Sequence, residues 1–333
     1  FKLQWRGMIA AASRDAPDQR NYAYAKAPDQ DRYFARGDTG VARRYSTVDD
    51  LVASFGLDAI VPVVGKDKDW LKLTLKFGGA VEHSKRDALT QLFLWRVGET
   101  GDRSITDPEV LYDPTNTGDT INFQDLSNSG ADDYAAIGNT YGVYGMGELG
   151  LGDALRVLSG VRWETSKANV ETFQLASRDG SGEREVKNGG FEQTNLLPFV
   201  SATWQIIEEF QLRSAYSRTV SRPIFNELSE STFYDPDTGD QYIGKADLQP
   251  TRIDGFDMRA EWYPSATESL SLGGFVKLYQ DPIETSFVQR AGTVSVSTFQ
   301  NAKDARVLGL EVSGRVEFDR LQDWLGESAI LEG

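Results

Sequence analysis

The chain has 333 residues, a formal net charge of −15, no cysteine, one histidine and 32 glycines. The acidic balance argues against a nucleic-acid partner, which needs basic surface to displace counterions, and the missing cysteines exclude disulfides and thiolate metal sites. No apolar run approaches the roughly 18 residues of a membrane helix, but low hydropathy does not exclude a membrane barrel, whose strands hide lipid-facing residues among lumen-facing ones.

Taken in chain order, the dominant pattern is alternation. Phe1, Leu3, Trp5, Gly7, Ile9 and Ala11 interleave with Lys2, Gln4, Arg6, Met8 and Ala10. A weaker strand covers 43–63, within which 48–55 is the one stretch expected to form a helical turn. Leu71, Leu73, Leu75, Phe77, Gly79 and Val81 then interleave with Lys72, Thr74, Lys76, Gly78, Ala80 and Glu82. A strand over 133–149 carries Gly138, Gly142, Gly145 and Gly147, which read as places of curvature or close packing because no phosphate-loop Lys-Ser/Thr follows them. Leu155 to Trp163 alternates in the same way. Leu196, Pro198, Val200, Ala202, Trp204 and Ile206 oppose Ser201, Thr203 and Gln205, and after Glu208 and Glu209 the pattern resumes with Phe210 and Leu212 against Gln211 and Arg213. Phe256 to Trp262, Leu270 to Leu278 and Leu308 to Phe318 repeat it, and a weak segment at 327–333 completes about eleven strands. A period of two gives each strand two opposite faces, one suited to oil and one to water.

The connections alternate as well. Short links fall at 64–69, 150–154, 207–209, 264–268 and 319–326; long polar links fall at 14–42, 99–132, 178–193, 220–250 and 289–296. Short turns on one side and long loops on the other mark outer-membrane barrels, whereas a soluble sandwich has no reason to alternate. Lys72, Lys76, Glu82, Arg162, Glu164, Arg213, Arg259, Glu261 and Glu311 all fall opposite the apolar stripe. So many charges need a wide, wet or plugged lumen, since in a small dry one each would cost several kcal/mol unless paired. The fold expected is therefore all-β, a large antiparallel transmembrane β-barrel.

Several stretches carry a family resemblance. Leu196-Leu197-Pro198, then Leu212-Arg213-Ser214-Ala215-Tyr216-Ser217-Arg218-Thr219 and Ser221-Arg222-Pro223, resemble the "LLPS…LRxAYSxTxxRP" hairpin of TonB-dependent outer-membrane receptors. Asp247-Leu248-Gln249-Pro250-Thr251, Phe275-Val276-Lys277-Leu278-Tyr279 and the stretch from Asn301-Ala302-Lys303 to Gly309-Leu310-Glu311 are similar to later strands of the same family, in the same order. Gln249 stands where the family usually has a basic residue. The resemblance implies a barrel of 22 strands, with a plug domain and a TonB box upstream. Residues 1–333 then form part of one barrel domain, truncated at both ends. It also implies a Gram-negative outer-membrane receptor that takes up a siderophore, vitamin or oligosaccharide with energy delivered by TonB. Its partners would be TonB, through the missing N-terminal region, an extracellular ligand and outer-membrane lipid. No enzyme activity, cofactor or metal is expected.

Candidate ligand residues lie on the extracellular loops and rim. Arg222 stands where a strand leaves the membrane, beside Pro223, which ends ladder pairing. Two loop tips repeat a phrase, with Tyr112 and Asp113 in one and Tyr234, Asp235 and Asp237 in the other; Tyr242 follows. The bland reading of these Asp-Pro and Thr-Gly pairs is turn chemistry, and the sharper one is a carboxylate group for Ca²⁺. Loop aromatics serve either as an interfacial girdle or as flat faces for a sugar or siderophore, which leans the substrate toward a carbohydrate or other organic nutrient. Two rivals stand beside the receptor: a passive sugar porin, and a barrel hydrolase. The hydrolase would have to use the lone His83, which has lipid-facing parity near the outer rim.

Overall fold

Alternating sequence becomes strand almost everywhere. The structure is a computed structural model and describes residues 1–22, 24–26, 33–35, 41–64, 70–97, 107–111, 113, 115, 118, 121–125, 133–175, 184–234, 241–289 and 295–317. In chain order the elements are β1 (Lys2–Tyr22), β2 (Tyr24–Lys26), β3 (Tyr33–Ala35), β4 (Val41–Val64), β5 (Leu71–Val97), α1 (Pro108–Leu111) and β6 (Ile121–Asp125). There follow β7 (Tyr134–Leu151), β8 (Leu155–Leu175), β9 (Arg184–Ile207), β10 (Phe210–Ser221), α2 (Phe225–Leu228), β11 (Thr232–Tyr234) and β12 (Gln241–Ile243). The last are β13 (Thr251–Trp262), β14 (Ser269–Gln280), β15 (Ile283–Gln289), β16 (Ser295–Asn301) and β17 (Asp304–Arg315).

Ten strands form one antiparallel path, β1-β4-β5-β7-β8-β9-β10-β13-β14-β17, with β6 beside the far end of β5. The short links are tight. Gly152, at a φ of 53°, donates its N–H to the Trp70 carbonyl at 2.7 Å, tying the β7–β8 turn to the start of β5. The eleventh expected strand, 327–333, lies outside the described residues.

Two expectations change. Residues 48–55 are not helical: they pair with both β1 and β5 in unbroken register, and ladder bonds on both sides override a weak local period. β1, β4, β5, β8 and β9 also run well past the membrane-crossing length of about 9–11 residues. β1 runs on to Tyr22 and β9 starts at Arg184, so part of the expected loops 14–42 and 178–193 is ribbon standing above the barrel wall. Where β1 and β4 slip register between Ala16 and Gln19, Asp18 takes a φ of 53°. Its carboxylate accepts from Arg20 at 2.7 Å and from Arg43 at 2.7 Å, which holds the bulge.

The two faces invert the usual order of a soluble protein. Trp5 is 74% exposed and Leu310 85%, whereas Asp58 is 3% and Glu261 5% exposed. Apolar residues outside and carboxylates inside suit a wall with lipid on one side and a polar lumen on the other. The buried inward carboxylates Asp58 and Glu261 are paired. Asp58 accepts from Arg6 Nη1 at 2.6 Å and from the Tyr144 hydroxyl at 2.5 Å, with Lys76 over the Tyr144 ring at 5.7 Å. Glu261 gathers Gln211 at 2.6 Å, Arg213 at 3.0 Å and Arg259 at 3.1 Å, and Arg259 also donates to Ser271 at 2.9 Å.

The glycines of β7 serve close packing. Arg162 lies across Gly142 and Phe225 across Gly138, where a Cβ would intrude. Tyr144→Phe removes one donor from buried Asp58 and is expected to cost about 1–3 kcal/mol. Urea unfolding in detergent micelles measures it, and no change in midpoint would mean that the hydroxyl bond does not contribute.

Candidate functional site

Beyond β10 the chain turns inward. Pro223 ends the ladder, α2 follows, and Leu228 and Leu248 become fully buried. They pack on Tyr134, Ala136, Ala168, Val170 and Phe191, which are the inward residues at the upper ends of β7, β8 and β9. Phe225, Ile283 and Phe299 close over the same cluster. An apolar patch on the inner wall above the membrane level thus has its own lid, made from residues 222–234 and 241–250.

Polar bonds fix this lid. The Thr172 and Ser229 hydroxyls meet at 3.0 Å, Ser229 donates to Ser231 at 2.9 Å, and Ser231 donates to the Asp133 carbonyl at 3.4 Å. All three hydroxyl residues are buried, so a hydrogen-bonded chain is the arrangement that avoids desolvation cost. The returning segment completes the helical turn: Lys245 donates its N–H to the Glu227 carbonyl at 2.6 Å, and Gly190 donates to the Ala246 carbonyl at 3.0 Å. Gly244 sits under the carbonyls of Asn226, Glu227 and Ser229, leaving no room for a Cβ.

Beneath the lid is a charged knot. Arg222 pairs with Glu164, which also accepts from Arg162 Nε at 2.6 Å. Arg222 Nε and Asn226 Oδ1 are buried without a hydrogen-bond partner, one spare donor and one spare acceptor on the lid's inner side. Arg222, a predicted ligand residue, is therefore first a strut between lid and wall.

Two loops are joined above. β11, β12, β16 and β15 form a second sheet in which β12 and β16 run parallel, so the β10–β13 connection is bonded to the β14–β17 connection. Tyr242 stacks on Phe299 at 6.1 Å. Asn301 accepts from the Gln249 N–H at 2.9 Å and donates to the Gln249 carbonyl at 2.8 Å. Because these bonds use only the Gln249 backbone, the departure from a basic residue at this position leaves the join intact.

The structure brings Arg222 and Tyr242 into this one lid-and-sheet unit. Tyr234 lies in β11 opposite Gln241. Asp113 stands apart in an exposed turn, where its carboxylate accepts from the Thr115 N–H at 2.8 Å and the Thr115 hydroxyl at 2.5 Å. These bonds hold the Asp113 carboxyl below its ordinary pKa, the hydroxyl bond contributing most. This is the turn chemistry expected of an Asp two residues before a Thr. Tyr112, Asp235 and Asp237 lie outside the described residues.

Sequence reasoning missed Thr172, Ser229, Ser231, Leu228 and Leu248. The signal available was the apolar set Ile224, Phe225 and Leu228 just after Arg222-Pro223, within an otherwise polar link. His83 bonds Asn139 at 2.8 Å on the outer face.

No curated protein matches the chain in sequence. Among solved structures it is similar to the ferric citrate transporter FecA in its unliganded form, at 10% identity and a TM-score of 0.53, covering 97% of this chain and 41% of that one. It is also similar to the Serratia marcescens hemophore receptor HasR in complex with HasA and heme, at 11% identity and a TM-score of 0.47, covering 94% and 52%. The ferric yersiniabactin uptake receptor FyuA from Yersinia pestis follows at 12% identity and 0.46, covering 93% and 37%. The chain thus spans about half of HasR and less of the other two, and the FecA likeness shows a shared fold. A family model described as TonB dependent receptor-like, beta-barrel, matches residues 3–330. The wall of long strands agrees with that match, and the chain belongs to the TonB-dependent receptor β-barrel family of the outer membrane.

Proposed function

We propose that the intact protein is an active-transport receptor that takes up a scarce nutrient across the outer membrane with energy delivered by TonB. The family match along residues 3–330 carries this reading. The inward lid supports it, because a rigid wall around a narrowed vestibule suits a binding protein better than an open sieve. The knot beneath the lid is charge-balanced when Glu82 is counted, Arg222 and Arg162 being offset by Glu164 and Glu82, and the sheet above it carries the flat Tyr242–Phe299 stack. That combination favours a neutral polar ligand with an apolar ring face, such as an oligosaccharide, over a highly charged chelate.

The test is uptake of labelled oligosaccharide by cells expressing the intact gene, with and without a functional TonB. Uptake is expected to fall to the background of gene-deleted cells when TonB is lost. Uptake that persists unchanged without TonB would identify a passive porin instead. A growth defect of the deletion strain confined to ferric siderophores would overturn the carbohydrate assignment while leaving the receptor reading intact.

A further inference from the structure

The second sheet, in the order β11-β12-β16-β15, ends on a strand that its neighbours leave half paired. β16 is bonded on both sides: β15 lies antiparallel to it from Ile283 to Gln289, and β12 lies parallel on its other edge. The Thr298 hydroxyl adds a bond to the Ile243 carbonyl at 2.8 Å on that second side. Among the described residues nothing pairs with the far side of β15. Antiparallel partners bond only at alternate residues, so about half of the β15 backbone groups point away from β16.

This edge lacks the usual protection. Exposed edge strands are commonly blunted by lysine, proline, a bulge or a cover. β15 reads Ile-Glu-Thr-Ser-Phe-Val-Gln, its register with β16 is unbroken, and Pro282 stands below it rather than in it. Phe287 is 84% and Val288 40% exposed. Being consecutive, they point to opposite faces, so apolar surface flanks the free edge above and below. The foot of the strand is fixed. The Asp281 carbonyl accepts from Asn301 at 2.8 Å and from the Thr251 hydroxyl at 3.0 Å, and the Ala302 N–H donates to the Pro282 carbonyl at 2.8 Å.

We propose that the free edge of β15 is a docking site for the edge strand of a folded protein at the cell surface, which extends the second sheet by one strand. Ladder bonds are backbone chemistry, and only another extended backbone offers donors and acceptors at strand spacing. The short β12–β16 pairing shows that this sheet already grows by joining strands from separate links. A free peptide would lose backbone freedom at every paired residue, for a small net return from each hydrogen bond in water. A strand already held in a folded partner avoids that loss. Glu284 is the sole ionisable side chain of β15, so the matching strand carries a lysine or arginine beside it and apolar residues against Phe287 and Val288. The site is independent of what the lumen carries.

The experiment uses the intact receptor in detergent. Hydrogen exchange followed by mass spectrometry is expected to show the β15 segment exchanging at least tenfold faster than β16, which is paired on both sides. Fluorescence anisotropy then measures binding of a labelled, backbone-cyclised hairpin whose outer strand alternates valine and threonine around one lysine. A copy N-methylated along that outer edge keeps every side chain but loses its donors, and is expected to bind at least tenfold more weakly. Phe287→Lys with Val288→Lys places charge on both faces of the edge and is expected to weaken binding of the unmethylated hairpin by at least tenfold. Both side chains are exposed, and the methylated hairpin decides the matter even if this variant fails to insert. Full protection of β15 in the receptor alone would mean that the intact chain already covers the edge, and overturns the proposal. So does absent binding, equal binding of the two hairpins, or undiminished binding by the lysine variant. Loss of labelled-oligosaccharide uptake in that variant with hairpin binding unchanged would instead assign Phe287 and Val288 to the nutrient site.

Discussion

Gly244→Val is expected to release the lid from the inner wall. A Cβ at this position would press on the backbone carbonyls of Asn226, Glu227 and Ser229 at once, and backbone cannot swing aside as a side-chain tip can. Relief requires the segment 244–246 to withdraw, which breaks the Lys245-to-Glu227 and Gly190-to-Ala246 bonds. It also uncovers Leu228 and Leu248. Overpacking of this kind costs about 1–3 kcal/mol, and the lost burial of two leucines adds a further ~1.5–3 kcal/mol each, so the docked state ceases to be the major one. The barrel wall should survive, because its ladder bonds do not pass through the lid. Limited proteolysis of the intact receptor reads this directly: cleavage within 222–250 is expected to accelerate by about a hundredfold or more, with heat-modifiable migration unchanged. Cleavage at the wild-type rate would mean that the lid is held by something other than this packing.

Glu164→Ala is expected to be the most damaging single change on the inner wall. Glu164 is buried and is shared by Arg162 and Arg222, so its removal leaves two guanidinium groups close together without their common partner. Removing one partner of such a group costs about 3–5 kcal/mol, whereas replacing members together by apolar residues is often near neutral. The double variant Glu164→Ala, Arg222→Met should therefore recover most of the loss, a coupling that thermal unfolding of the detergent-solubilised receptor would reveal. The cycle also sorts the two readings of Arg222. As a strut, Arg222→Ala loosens the lid to proteolysis before it touches ligand affinity. As a ligand contact, it lowers affinity while the lid stays closed.

Much of the wall was legible from residue type alone. In Leu71 to Val81 or Leu196 to Ile206, side-chain direction alternates by covalent geometry, so parity assigns lipid and lumen before any pairing is known. The short links were legible for the same reason: they are where alternation stops. What misled was local period read in isolation. Residues 48–55 look briefly helical, yet each of them has partners on both neighbouring strands, and a ladder on two sides outweighs a marginal propensity. The long polar links were read as loops because polarity on both faces is the mark of a loop. At the far end of β1 and the start of β9 it is instead the mark of a ribbon with water on both sides.

The candidate site was the least legible part. Arg222 was singled out for its place at the strand exit, but its partner Glu164 lies 58 positions earlier and Arg162 is closer to Glu164 than to it in sequence. Thr172 and Ser229 are 57 positions apart, and Asp133 and Ser231 are 98 apart. No local pattern announces such pairs. Sequence by itself determined the membrane barrel wall, its two solvents and the side on which the long loops stand, since these depend on a period of two that every strand repeats. Only the tertiary structure decided that one long loop folds inward, that two loops are bonded into a single sheet, and that β15 stands at the free edge of that sheet. Those features depend on which distant residues become neighbours, and strand register, not composition, sets that.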